Sequence, residues 1–433
     1  MDDAEPATPT AATPTAATQT PAAGRNRRSG ARIASLDFLR GLAVMGILAA
    51  NIVAFGQPFN AYIYPGAFLT EHGTAEGWMY VAQFVLIDGK MRGLFTLLFG
   101  AGLYLFMENA WAKGRGRGLQ LRRLVWLLVF GLIHFYLIWP GDILTYYALA
   151  GFLVLLCVKW DALKQLKVGL VGYFVGALMM GAIMTVPWAV ADTGFGEGEA
   201  FDEMHADLDL GIAEALSDDA AQTQFQQAGD YAGLIAYRFE AHWYEPFVNF
   251  LMFGFETVPL MLIGIALYRI GFFSGGIDPT KMRKWGWVGL ISGGLVSLAM
   301  ALFIQSDGFT FYGTVAGLMG WSYLPRLAMA LGLAALLVAY TPAGGWLGDR
   351  VKAAGRVAFT NYLGTSLVMM VVFQGWAGGL FGLLTRGELY LVWAAMCIIM
   401  LLWSKPWLER FRYGPLEWLW RCLTYGRLFP LKR

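Results

Sequence analysis

Residues 31–55 read ARIASLDFLRGLAVMGILAANIVAF, and this stretch decides the fold. From Leu36 to Phe55 it is almost wholly apolar, and about 20 helical residues at about 1.5 Å each cross a hydrocarbon core about 30 Å thick. Asp37, Arg40 and Asn51 interrupt it at spacings close to whole helical turns, so they fall near one stripe. Because such a stripe is costly against lipid, we expect it to face protein or water.

The composition extends this interpretation to the whole chain. Of 433 residues, 57% are hydrophobic and 14% charged, whereas soluble domains carry about 25% charged residues. The composition therefore predicts an all-α fold, a polytopic bundle of membrane helices. Ten apolar runs predict ten transmembrane helices, near 36–55, 78–107, 120–139, 143–158, 168–190, 244–272, 285–304, 316–340, 356–376 and 388–404.

The two ends differ from the apolar middle, 32–404. Residues 1–31 form a Thr/Pro/Ala-rich tract ending in an arginine cluster, which predicts a disordered cytoplasmic tail. Residues 405–433 are basic and rich in tryptophan, which indicates an amphipathic segment at the membrane interface. In that segment Glu417 and Arg421 have the i, i+4 spacing of a helical ion pair.

Lysine and arginine counts predict the orientation. Alternate connections carry 26 basic residues on one side and 2 on the other, so both termini are expected in the cytoplasm. The outer segment 191–243 holds twelve Asp or Glu against one Arg and is expected to form an acidic cap, partly helical. The basic residues are scattered over short loops, so no nucleic acid partner is expected.

A second polar motif, IDGKMRG, interrupts the second apolar run with Asp88, Lys90 and Arg92. Its glycines weaken the helix, so the span is expected to break here and expose backbone at a cavity. These charges need compensation at membrane depth. Glu256 in the sixth run and Arg326 in the eighth are single charges, and either could be a partner for Arg92 or Asp88, or an interfacial residue. The alternative is that 78–88 is an interfacial helix and the charges lie outside the membrane.

A third motif, GLIHFYLIWPGDIL, places His134 before a Trp-Pro-Gly-Asp break and Asp142 after it. One interpretation is structural, with a hydrogen-bonded core histidine and a helix-capping aspartate. The other is a His–Asp pair prepared for proton transfer. Cys157, Cys397 and Cys422 share no metal-ligand spacing, so they are interpreted as structural thiols and no metal site is expected.

Five motifs together resemble the YeiB-like family of bacterial multi-pass inner-membrane proteins of unassigned function. In chain order they are LDFLRGLAVMGILAANI, GKMRGLFTLLFGAGLYLF, GLIHFYLIWPGDILTYYALAG, GRVAFTNYLGTSL and GPLEWLWRCLTYG. That family is grouped with the transmembrane acyltransferase superfamily, which includes the heparan glucosaminide N-acetyltransferases and the sugar O-acyltransferases.

The resemblance implies roles for particular positions. The O-acyltransferases carry an Arg, ten residues, then a His on the first span, and here the two places hold Arg40 and Asn51. The N-acetyltransferases show Asn at the second place and a catalytic His eleven residues later, where this chain has Tyr62. We interpret His134 as the substitute for that histidine.

The leading functional hypothesis is an acyltransferase that moves an acyl group from cytosolic acyl-CoA to a cell-envelope acceptor, a glycan or a lipid, with no bound cofactor. His134 oriented by Asp142 would be the general base, and Asn51 would donate a hydrogen bond to the thioester carbonyl. Arg40 and the basic loop 113–123 would hold the CoA phosphates. The candidate substrate-binding residues are Asp37, Arg40, Asp88, Lys90, Arg92 and Glu256.

Two other functions remain open. A transporter or permease would use the intramembrane charges as a polar pathway. A non-catalytic membrane scaffold or sensor would use the charges only to hold its helices together.

Overall fold

A computed structural model describes the backbone of residues 23–433 and the side chains from Ala34 onward. Residues 1–22, most of the predicted disordered tail, lie outside the described residues, and 23–31 continue the first helix. The helices are α1 (Ala23–Gly56), α2 (Thr74–Leu86), α3 (Lys90–Trp111), α4 (Gly118–Ile133), α5 (Leu144–Cys157), α6 (Ala162–Asp192), α7 (Asp202–Ala228), α8 (Tyr231–Ala241), α9 (Glu245–Arg269), α10 (Pro279–Ser306), α11 (Phe311–Val315), α12 (Tyr323–Ala339), α13 (Trp346–Arg356), α14 (Ala358–Phe373), α15 (Arg386–Arg410) and α16 (Pro415–Tyr425).

The predicted all-α bundle of a multi-pass membrane protein is confirmed. Within the described residues, seven helices are long and apolar enough to cross a membrane, or up to nine if each bent helix pair counts as one span. The bent pairs are α11 with α12 and α13 with α14, and the short apolar helix α5 corresponds to the fourth predicted run, 143–158. Every apolar run of the sequence therefore corresponds to a helix.

The second apolar run is broken where IDGKMRG predicts a break. α2 ends at Leu86 and α3 begins at Lys90. Between them Gly89 has φ +71°, a left-handed conformation that glycine adopts without strain. Two π-helical segments, His134–Ile138 and Ala316–Trp321, interrupt other spans, and such segments are frequent at functional sites.

Glycines allow α3 and α9 to touch backbone to backbone. A Cβ on Gly100 would lie 2.2 Å from the carbonyl oxygen of Met261, and one on Gly264 would lie 2.1 Å from that of Leu97. The contact is reciprocal, which is the way small residues bring membrane helices together where no hydrophobic effect acts between them. α9 therefore carries Glu256 close to the charged residues of α3.

Opposite ends of the bundle differ in charge. We call the end that carries the 112–117 loop, α13 and α16 the basic face, and the end covered by α7 and α8 the acidic face. At the basic face α16 packs on α4 and α14, and the Glu417 carboxylate accepts hydrogen bonds from the amides of Phe359 (2.8 Å) and Thr360 (3.1 Å).

The predicted pairing of Glu417 with Arg421 is therefore wrong. Glu417 instead occupies the N-terminus of α14, where unpaired amides favour an anion. Arg421 lies over aromatic rings, with its guanidinium 4.7 Å from the Phe429 ring centre. The amides that attract the carboxylate come from another helix, so spacing within the tail did not reveal them.

The predicted helical cap is present at the acidic face as α7 and α8. It is tied to the membrane domain by Asp219, whose carboxylate accepts from the amides of Phe59 and Asn60, both at 3.1 Å. The amide of Gly375 donates to the carbonyl of Gln226 at 2.8 Å. The cap thus closes over the ends of α1 and α14.

His242 joins the cap to the start of α9. Its Nε2 lies 2.9 Å from Asp218 and its Nδ1 lies 2.6 Å from Glu245. Hydrogen bonds to Asp218 and then to Glu245 raise the pKa of His242 to about 9. The imidazolium is therefore the form that this cluster stabilises.

Replacing Gly264 with alanine is expected to lower the free energy of unfolding by about 1–3 kcal/mol, because the added methyl group forces α3 and α9 apart. Thermal melting in detergent measures the loss. Gly181→Ala on α6 is the control, since no atom lies within 4 Å of its Cβ position, and it is expected to leave the melting temperature unchanged. Equal melting temperatures for the two variants would contradict the close α3–α9 contact.

The stabilisation that His242 contributes to the folded protein is expected to decrease as the pH rises. Because its pKa in the folded protein, about 9, lies above the unfolded value of 6.5, the stabilisation is full below about pH 6.5 and is lost as the pH rises through about 9. Melting curves from pH 6 to 10 for the wild type and His242→Gln should converge at the alkaline end. His205→Gln is the control, and a constant gap between wild type and His242→Gln would refute the assignment.

Candidate functional site

The predicted His134–Asp142 pair is present and fully buried. His134 Nδ1 lies 2.9 Å from Asp142 Oδ1, and the two side chains are 0% and 1% exposed. The carboxylate also accepts from the amides of Leu144 (3.1 Å) and Thr145 (2.7 Å), so it caps α5 as well. Asp142 therefore caps α5 and also pairs with His134, while the predicted proton transfer stays a prediction. Since a carboxylate only accepts, Nδ1–H donates to it, which leaves Nε2 of a neutral ring as the acceptor, and Nε2 has no partner among the described residues.

A cavity of about 370 Å³ opens at the basic face and extends toward this pair. Phe95 and Asn109 of α3 both line it, and their separation of fourteen positions corresponds to about 21 Å along the helix axis. Its inner end is formed by Leu144, Tyr147 and Tyr362. The walls between are mainly apolar: Leu98, Phe99, Gly102, Leu105, Phe106, Leu127, Ala358 and Phe359.

The mouth of the cavity has an excess of positive charge, because its lining holds Arg40, Arg123 and Arg356 against the one carboxylate of Glu417. Arg40 lies 3.4 Å from Asp37, a loose pair, and Arg123 lies 4.3 Å from the ring centre of Trp420. Among the described side chains Arg123 and Arg356 make no ion pair. The mouth thus combines free positive charge with an apolar interior, as a site for an anionic group with an apolar chain requires.

A small crevice of about 20 Å³ approaches the same pair from the acidic face. Cap residues Asp219 and Arg238 line it together with Trp139, whose indole stacks on Phe55 at 4.1 Å. The Trp139 ring centre is 6.3 Å from that of His134.

His134 therefore lies between two recesses that open on opposite faces. On the cavity side the Tyr362 ring centre is 5.3 Å from the imidazole. On the crevice side Trp139 forms the corresponding partition. One aromatic side chain separates the histidine from each recess.

The charges of IDGKMRG form a second cluster, in which Asp88 and Lys90 are buried and Arg92 is half-buried. Arg92 contacts Glu256, and Arg326 Nη1 lies 3.2 and 3.0 Å from the two Glu256 oxygens. The contact of Arg92 with Glu256 is one of the alternatives that the sequence left open. Lys90 is buried and donates to the carbonyl of Phe84.

At the other end of this cluster, the hydrogen-bond partners of Asp88 are neutral side chains. It accepts hydrogen bonds from Tyr62 (3.2 Å) and Gln83 (3.1 Å). Asp88 is 2% exposed, so the protein encloses it. The cluster reaches the cavity at one point, where the Tyr147 hydroxyl donates to the Arg92 carbonyl at 3.4 Å.

The three polar residues predicted to share one stripe of α1 lie in different surroundings in the structure. Arg40 lines the main cavity and Asp37 pairs with it, but Asn51 does not line the cavity. Asn51 is partly buried, and its side chain makes no hydrogen bond with the described residues. Its predicted role at the thioester stays a prediction.

The residues that close the two recesses were not singled out from the sequence. The sequence predicts only ordinary core aromatics at Tyr147, Tyr362 and Trp139, because their spacing does not indicate a cavity. The only available signal was position, since Tyr147 and Tyr362 lie within the ordered motifs ILTYYALAG and AFTNYLGT.

Comparison with known proteins places the chain among relatives without an assigned activity. A family model described as "Protein of unknown function (DUF418)" matches residues 267–427. The chain is 33% identical over 420 residues to "Uncharacterized protein YeiB" of Escherichia coli (strain K12), covering 92% of this chain and 98% of that one. It is 30% identical over 432 residues to "Uncharacterized protein YxaH" of Bacillus subtilis (strain 168), with 93% and 96% covered. No solved structure matches significantly.

Proposed function

The chain belongs to the YeiB-like family, and we propose that it is an acyltransferase of the bacterial inner membrane, carrying an acyl group from cytosolic acyl-CoA to an acceptor in the cell envelope. The observation that carries the proposal is the position of the His134–Asp142 pair between a cavity open on one face and a crevice on the other. The excess of Lys and Arg on the basic face supports a cytoplasmic location for the cavity mouth.

The main cavity suits an acyl donor. Its volume of about 370 Å³ lies in the range of small-molecule sites, about 300–1,000 Å³. The phosphates of CoA would lie at Arg40, Arg123 and Arg356, and the acyl thioester would extend along the phenylalanines and leucines toward Tyr362. The acceptor would enter from the acidic face along Trp139.

His134 would then act as the general base. Its Nε2 takes the proton of the acceptor hydroxyl or amine while the acceptor atom bonds to the thioester carbonyl carbon. The C–S bond breaks, and the CoA thiolate leaves with the proton that the imidazolium returns. Asp142 holds the ring in the tautomer that leaves Nε2 free and stabilises the transient positive charge. A shift of Tyr362 or Trp139 brings the reactants together.

A transporter is the second candidate, and a specific observation favours it. Arg92, which is half-buried, and the buried Glu256 and Arg326 lie where α2 breaks from α3 and beside a π-helical segment. Broken helices that hold charges near the middle of the membrane are typical of solute pathways. Uptake of a labelled solute into proteoliposomes, unaffected by His134→Gln, would favour transport over acyl transfer.

His134→Gln is expected to reduce acyl transfer about 10²–10⁴-fold, the usual contribution of a general base. Protein in nanodiscs is supplied with radiolabelled acetyl-CoA or palmitoyl-CoA and with outer-envelope glycans and lipids, and transfer of label is counted. His205→Gln, a histidine of the cap, is the control. Equal transfer by His134→Gln and the wild type, or none by the wild type with any donor and acceptor fraction, would contradict the proposal.

The cationic mouth of the main cavity leads to a separate prediction about CoA binding. Arg123→Gln combined with Arg356→Gln is expected to weaken CoA binding at least 10-fold, since charge-assisted hydrogen bonds contribute about 1.5–3 kcal/mol. The thermal shift produced by CoA measures the affinity. Arg283→Gln with Lys284→Gln, at the exposed start of α10 and outside the cavity, is the matched control. The same CoA dependence in both double variants would place the donor elsewhere.

A further inference from the structure

A separate cleft of about 450 Å³ lies on the basic face, between the loop that joins α3 to α4 and the end of α5. Trp111, Arg115, Arg117 and Lys159 supply its side chains, and Gly114 and Gly116 complete the lining. It contains three cations and no carboxylate. Among the described side chains none of the three makes an ion pair.

The loop geometry keeps the cleft open. No atom lies within 4 Å of the position that a Cβ would take on Gly114 or Gly116, and Gly114 has φ +67°. Arg115 is positioned at one side by the Tyr425 ring, whose centre is 5.3 Å from its guanidinium carbon. The cations are thus held around an accessible space.

Exposed apolar residues continue from this cleft along the two adjoining helices. On α4, Leu121 follows Arg117 by one turn and is 48% exposed. On α5, Leu156 precedes Lys159 by three residues and is 68% exposed. Arg117 is the residue before α4 and Lys159 lies two residues beyond the end of α5, so each of these two cations lies at the end of an exposed apolar strip. α4 and α5 pack together, with Gly151 against Leu124, so the two strips are neighbours.

We propose that this cleft binds the phosphate headgroup of an anionic phospholipid, whose acyl chains lie along the exposed strips of α4 and α5. Basic pockets between membrane helices attract such headgroups, and Trp111 is the residue type that marks the level of the headgroups. A soluble phosphate ester would use the cations but not the apolar strips. The site is distinct from the acyl cavity, and its existence does not depend on the proposed catalytic activity.

The test is a lipid titration of purified protein. Protein in phosphatidylcholine-containing micelles receives dioleoylphosphatidylglycerol, and binding is followed by native mass spectrometry and by the melting temperature. The wild type should bind the lipid and melt higher. The variant R115Q/R117Q/K159Q should bind at least 10-fold more weakly, whereas K281Q/R283Q/K284Q, with the same charge loss on exposed residues at the start of α10, should bind like the wild type.

A charge-conserving variant, R115K/R117K/K159R, separates loss of binding from loss of folding and should retain most of the affinity. Equal weakening by both neutralising variants would show a general charge effect and overturn the site. A second set of titrations uses inorganic phosphate and CoA in place of the lipid. Competition by either at the affinity of phosphatidylglycerol would assign the cleft to a soluble phosphate and overturn the lipid proposal.

Discussion

A charged or polar side chain at membrane depth needs its partner inside the protein, because the hydrocarbon offers neither water nor counter-ions. The structure satisfies this constraint twice. Glu256 on α9 lies between Arg92 and Arg326, which requires the close glycine-mediated approach of α3 and α9. Asp142 accepts from His134 and also from two amides of α5. The arrangement of the central helices depends on these two compensations.

The second compensation is incomplete, and this is the reason to regard the His134–Asp142 pair as functional. Asp142 satisfies one nitrogen of the imidazole, while Nε2 stays buried without a partner among the described residues. An unsatisfied buried polar atom costs about 1–3 kcal/mol. Such a group is expected where a ligand supplies the missing hydrogen bond, and recesses approach His134 from both faces.

The aromatic partitions fit a reaction between two compartments. Tyr362 closes the cavity on one side of His134, and Trp139 closes the crevice on the other. In the proposed acyl transfer, a continuous channel would let water reach the thioester, and the two partitions would prevent this while no acceptor is bound. The cap of α7 and α8 adds a cover at the acidic face, and it holds the crevice side through Asp219.

Much of the fold was predictable from the sequence, because apolar length is a local property. The ten runs, the break at Gly89 and the capping role of Asp142 each follow from a few adjacent residues. The His134–Asp142 pair was also accessible, since both residues lie on one short motif. The cavity was not predictable, because its lining comes from seven helices that are far apart in the sequence: α1, α3, α4, α5, α13, α14 and α16. Glu417 shows the same limit, since the amides that it accepts from belong to a helix some sixty positions earlier.

The most direct measurement is an electron cryo-microscopy structure of the protein with a non-hydrolysable thioether analogue of acyl-CoA. The account predicts density for the phosphates at Arg40, Arg123 and Arg356, with the thioether near Tyr362 on the His134 side. A saturated complex whose main cavity stays empty, or whose thioether lies away from the His134–Asp142 pair, would contradict it.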